Sequence, residues 1–174
     1  MTTASPVSRP LLLYLDDNRD DIVLIEAAIR MAAIPFSLRT FATIRAATAY
    51  LNGEGSFADR TIHPFPQLAL LDYQLRGVTV AEVLPALKKL PGCSNLPFVI
   101  FSGSESADRL KNSYQAGADH FLLKPSGLHR LELIVKTLYD CATSIPPCYL
   151  ALRALPEYQP FLLPAADALL LAAA

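Results

Sequence analysis

Short apolar runs recur along the chain, separated by amphipathic stretches. Residues 11–15, 68–71 and 97–101 are almost unbroken hydrophobic runs, the pattern of strands buried on both faces of a parallel sheet. Residues 36–41 and 119–123 complete five predicted strands. Between them, apolar residues fall at helical spacing. Ile22, Ile25, Ile29 and Ala33 follow the first strand, and residues 43–51 the second. Val80, Val83, Leu84 and Leu87 face inward in a helix over 79–90. Ala107, Leu110 and Tyr114 mark a fourth helix closed by Gly117, and Leu128, Leu131, Val135, Leu138 and Ala142 a fifth over 128–142. Asn18 is placed to cap the first helix, with Asp20 and Asp21 in its first turn. Pro85 is awkward inside the third, which is expected to start late or bend. Residues 53–66 read as a loop. The alternation predicts an α/β fold: a doubly wound, five-stranded parallel sheet of order 2-1-3-4-5.

Composition narrows the function classes. With 174 residues, 52% hydrophobic and 18% charged, the chain suits one domain with a sizeable core and excludes disorder. A net charge of −1 with interspersed signs gives no footprint for nucleic acid. Residues 1–10 lack the apolar core of a signal peptide, and no run reaches the roughly 20 apolar residues that cross a bilayer. Cys93, Cys141 and Cys148 form no CxxC pair and read as reduced thiols of a cytoplasmic protein. His63, His120 and His129 share no ligand spacing and read as surface or satisfied residues.

The candidate chemistry lies where the strands end. The first ends in Asp16-Asp17, the third in Asp72, the fourth in Ser102-Gly103 and the fifth in Lys124. In a doubly wound sheet these ends lie along one edge, where ligands bind. Two carboxylates about 4 Å apart repel by about 4 kcal/mol at an effective dielectric near 20, so three of them call for a cation. All-oxygen ligands suit Mg²⁺. With Lys124 as a second positive charge and Ser102 as a hydroxyl donor, the set fits phosphoryl transfer onto Asp72 as a carboxylate nucleophile. Gly103 leaves room for Ser102 to hold a phosphoryl oxygen.

These residues resemble the receiver domain of two-component response regulators, over about residues 11–142, a flavodoxin-like fold. The resemblance implies that Asp72 is the phosphoacceptor, that Asp17, Asp72 and the Gln74 backbone carbonyl bind Mg²⁺ directly, and that Asp16 acts through water. It implies that Phe121, three residues before Lys124, is an aromatic switch that rotates inward when Ser102 moves toward the phosphate. Within the family the chain looks most like small single-domain regulators paired with phytochrome-type histidine kinases. Two positions depart from the family pattern: Arg76 stands where many receivers have proline, and Val80 where glycine is common. The implied function is a stand-alone regulator that takes phosphate from a histidine kinase and signals through protein contacts; it is a phosphoacceptor rather than an enzyme. The alternative is a phosphorylation-independent binding module on the same fold. A phosphatase resembling the haloacid-dehalogenase group is disfavoured, because the second Asp it needs is Gln74 here.

The organisation expected is a lead over 1–10, a receiver over 11–144 and a proline-rich apolar arm over 145–174. The arm, with Pro146, Pro147, Pro156, Pro160 and Pro164 among many Leu and Tyr, reads as extended chain that needs a surface. A homodimer with exchanged arms is favoured over folding back, and Ile134 and Cys141 are read as further apolar area on the fifth helix for that interface. Leu169 to Ala174 reads as a short helix.

Overall fold

The computed structural model describes residues 9–144 and 149–160. Cys148 and the expected helix at 169–174 lie outside the described residues, as does most of the N-terminal lead. Five parallel strands form the sheet: β1 Leu11–Leu15, β2 Ser37–Phe41, β3 Leu68–Asp72, β4 Phe98–Ser102 and β5 His120–Leu123. Their spatial order is β2-β1-β3-β4-β5, the doubly wound order expected from the alternation. In register, Leu12 lies beside Leu68, Asp72 beside Phe101 and Ser102 beside Leu123.

The two-residue period of the strands divides the core between the faces of the sheet. Leu12, Tyr14, Leu68, Leu70, Val99, Phe101 and Leu122 pack toward α1 (Arg19–Ala32) and α5 (Leu128–Thr143). Leu13, Leu15, Ala69, Leu71, Phe98, Ile100 and Phe121 pack on the other face, which α2 (Ile44–Asn52) and α3 (Val80–Lys88) cover together with half-buried residues of α4 (Ala107–Gln115). The Asn18 side chain caps α1 by accepting from the Asp20 N–H at 3.0 Å. Helix α3 neither waits for Pro85 nor stops at it. It starts at Val80, with the Glu82 carboxylate accepting from the Thr79 N–H at 2.6 Å, and carries Pro85 on an exposed position.

One element was not expected. Between β3 and α3, Gln74–Leu75 and Val78–Thr79 pair antiparallel as a short hairpin with Arg76 and Gly77 at its tip. Gly77 has φ 84°, the left-handed region that glycine enters without strain.

Of the arm, residues 149–160 are described, and within the single chain they take the fold-back course weighed beside exchange. Residues 149–160 lie on their own domain. Leu150–Ala154 form a 3₁₀ turn against α5, with Leu152 and Leu155 buried in the α1–α5 core. The chain then runs along the open edge of β5: the Leu123 N–H donates to the Glu157 carbonyl at 2.8 Å and the Gln159 N–H to the Phe121 carbonyl at 3.0 Å. Glu157 also accepts two bonds from Arg130, at 2.8 and 2.9 Å. Ile134 and Cys141 are therefore not spare apolar area; both are buried in the same cluster as Leu152. His120 is likewise neither superficial nor satisfied. It is enclosed beside the Tyr149 and Tyr158 rings, and its Nδ1 finds no hydrogen-bond partner among the described residues. The same holds for Nδ1 of His63, whereas His129 is exposed.

Candidate functional site: an acidic pocket closed by a lysine

At the carboxyl ends of β1 and β3 the sheet delivers its charged residues. Asp16 leaves β1 with its N–H bonded to the Phe41 carbonyl at 3.0 Å, which continues the β1–β2 ladder to the acidic pair. Asp16 is only 1% exposed. Burial on this scale requires partners, and they are present: the Tyr14 hydroxyl and the Lys124 ammonium (2.7 Å) donate to Oδ2, and the Asn18 N–H to Oδ1 at 2.8 Å. Asp72 ends β3 at 8% exposure, accepting from the Gln74 N–H at 2.8 Å and from Lys124 at 2.6 Å. Asp17 is more open and pairs with Arg76 Nε at 3.4 Å. One carboxylate oxygen from each of Asp16, Asp17 and Asp72 lies within 4.8 Å of the others.

Lys124 is the hub. It follows β5, is held there by its N–H bond to the Ser102 carbonyl at 2.8 Å, and bridges Asp16, Asp72 and Asp21, the last at 2.9 Å. Burial alone would lower its pKa, but the bonds to Asp16, Asp72 and Asp21 outweigh this and hold the ammonium above the ordinary lysine range. Burial raises the Asp72 carboxyl above its usual range; Lys124 opposes the rise and Asp16 adds to it. Burial, then the Asp16 charge, push the Tyr14 hydroxyl up, so it stays a donor.

The structure thus brings together Asp16, Asp17, Asp72 and Lys124. Ser102 sits one residue beyond the register partner of Asp72, fully buried, with its hydroxyl donating to the Ser104 carbonyl at 3.1 Å. A Cβ on Gly103 would meet nothing within 4 Å, so the space there is open. Phe121 is already inside, 1% exposed in the α2–α3 core, rather than waiting outside to rotate in. Gln74 turns its N–H to Asp72, and its side chain is exposed. Sequence reading missed Asp21 and Tyr14 as members of this network. The signals were there: Tyr14 is two residues from Asp16, hence on the same face of an extended chain, and Asp21 lies in the first turn of the helix that starts directly after the acidic pair.

The donor set fits a hard divalent cation, since three carboxylate oxygens converge with no nitrogen or sulfur among them. A doubly wound sheet whose strand ends gather three acids and a lysine in this way is the architecture of a receiver domain.

No protein-family model matches the chain. It is 30% identical over 128 residues to the two-component response regulator ARR5 of Arabidopsis thaliana, covering 70% of this chain and 67% of the relative. It is 27% identical over 126 residues to the response regulator Rcp1 of Synechocystis sp., covering 72% and 84%. Among solved structures, the phosphorylated cyanobacterial phytochrome response regulator RcpA aligns with TM-score 0.69 and 30% identity, over 79% of this chain and 96% of that one. The Mn²⁺-bound form of Rcp1 aligns with TM-score 0.62 and 26% identity, over 75% and 92%. The chain belongs to the response regulators of two-component signalling, and regulators of phytochrome systems are among its relatives.

Proposed function

We propose that this chain accepts a phosphoryl group on Asp72 from the phosphohistidine of a sensor kinase, one of bacteriophytochrome type, and acts in the cytoplasm as a stand-alone regulator through protein contacts. The observation that carries the reading is the convergence of Asp16, Asp17 and Asp72 within 4.8 Å, with Lys124 2.6 Å from the acceptor. An Asp72 oxygen attacks phosphorus, the O–P bond forms as the P–N bond breaks, and the imidazole leaves with the electron pair. Lys124 stays beside the acceptor and neutralises charge on the transferred group. Ser102 exchanges its bond to Ser104 for one to a phosphoryl oxygen. Asp16, Asp17, Asp72 and the Gln74 carbonyl would hold Mg²⁺, which when bound neutralises charge on the transferring oxygens. The chain promotes only its own phosphorylation and dephosphorylation.

The new charge at Asp72 biases the packing of Phe121, and β5 transmits the change to the segment lying on its edge. A receiver over 11–144 with an arm over 145–174 is part of this reading. So is a homodimer: a second copy can supply the edge contacts that residues 149–160 make in cis, which is a domain exchange.

The test is incubation with Mg²⁺ and acetyl phosphate, read by intact mass, beside Asp72→Asn. A phosphoryl adduct lost in the variant and in EDTA supports the reading. No adduct on the wild-type protein overturns it in favour of a phosphorylation-independent binding module.

A further inference from the structure

The acidic pocket contains a second cation that neither Lys124 nor a metal accounts for. Arg76 is carried at the tip of the hairpin formed by Gln74–Leu75 and Val78–Thr79. Both legs of that hairpin are anchored: the Gln74 N–H donates to Asp72 and the Val80 N–H to the Tyr73 carbonyl, each at 2.8 Å. Gly77, at φ 84°, turns the tip so that Arg76 Nε comes 3.4 Å from Asp17 Oδ2.

Lys124 bridges Asp16, Asp21 and Asp72. Among the described ion pairs Arg76 is the one that serves Asp17. The four carboxylates outnumber the two cations, so the pocket stays negative enough to attract a divalent ion whether or not Arg76 remains in it. Asp17 is both one of the three converging carboxylates and the partner of Arg76, so a metal and the guanidinium draw on the same charge. A guanidinium cannot shed its proton in a protein, so it yields only by moving. Its side chain is 74% exposed, so it can move at little cost.

We propose that Arg76 is a tethered, displaceable counter-ion of Asp17 that competes with the divalent cation, so that metal loading releases the hairpin tip. The proposal rests on the reading of Asp16, Asp17 and Asp72 as the metal site. It gives a role to a residue that stands where the family pattern has proline.

The experiment is calorimetric titration of the full chain with Mg²⁺, comparing wild type, Arg76→Ala and Asp17→Asn at low and high ionic strength. Arg76→Ala should bind Mg²⁺ about two- to five-fold more tightly at low salt, the span of an exposed ion pair. The advantage should shrink at high salt, where such pairs are screened. As a readout independent of affinity, the Gly77 amide and Arg76 Nε–H resonances should shift on adding Mg²⁺ to wild type, and not to Asp17→Asn. Equal or weaker binding by Arg76→Ala, with Asp17→Asn still impaired, overturns the competition while leaving the metal site standing. No Mg²⁺ binding by wild type overturns the site and the proposal with it.

Discussion

Removing the lysine at the hub should destabilise the metal-free protein by an amount the geometry bounds from two sides. In Lys124→Ala, Asp16 and Asp72 keep their buried positions but lose the ammonium at 2.7 and 2.6 Å. With oxygens within 4.8 Å, two bare carboxylates repel by about 3.5 kcal/mol at an effective dielectric near 20. The pocket can escape that cost by protonating one acid. At pH 7 this takes about 4 kcal/mol for a group with an ordinary pKa near 3.9, which caps the loss. The expected destabilisation is therefore about 3–4 kcal/mol, within the range for breaking a buried ion pair. For a domain of this size it corresponds to a fall in Tm of roughly 6–15 °C. At pH 5 protonation takes only about 1.5 kcal/mol, so the gap between variant and wild type should narrow. Circular-dichroism melts in EDTA at both pH values measure this, and a repeat in MgCl₂ should show the variant gaining more than wild type, because the stripped pocket is the more negative. A variant as stable as wild type in EDTA, or a deficit equal at pH 5 and pH 7, would refute the electrostatic account of the pocket.

Three further outcomes follow from the packing. Burial lowers the His120 pKa, so below about 6.5 the unfolded chain takes up the proton first and stability falls with pH; Asp119 opposes the shift and Arg153 adds to it. Urea unfolding at pH 7.5 and 5.5 should show that loss in wild type and a smaller one in His120→Phe, and identical slopes would count against it. Leu152 is fully buried against α5, so Leu152→Ala should cost about 2–5 kcal/mol in the same assay, whereas a neutral result would mean that residues 149–160 do not lie on this surface in solution. Phe121→Leu should leave phosphorylation of Asp72 intact while reducing any phosphorylation-dependent change in sedimentation; an undiminished response would separate Phe121 from the switch.

Much of the fold and the pocket could be read from the chain because the central strands β1, β3 and β4 are unbroken buried runs, although β2 is not. Runs such as 11–15 and 68–71 are apolar on both faces, and the charged residue that ends each run marks the functional edge. The hairpin at 74–79 was illegible because two-residue strands have no period to detect. Helix α4 was weakly written for a related reason: Ser113 is its fully buried residue, and Leu110 and Tyr114 are only half-covered. The placement of Ile134 and Cys141 failed because the inward stripe of α5 was read too narrowly: they fall three residues after Leu131 and Leu138 and widen the same apolar face, which packs in one cluster with α1 and Leu152. Lys124 was legible as a cation for Asp72, but its third carboxylate, Asp21, looked like an ordinary acid in a helical first turn.

The seam between residues 155–159 and β5 is stitched in peptide groups: Leu123 N–H to Glu157, Gln159 N–H to Phe121. Such stitching is indifferent to which side chains hang from it. The side chains beside it still anchor the segment: Leu155 is buried in the α1–α5 core and the Glu157 carboxylate holds Arg130, so the closure combines sequence-blind backbone bonds with two residue-specific clasps. A proline in place of Gln159, which has no hydrogen to offer, is the kind of change that would undo it.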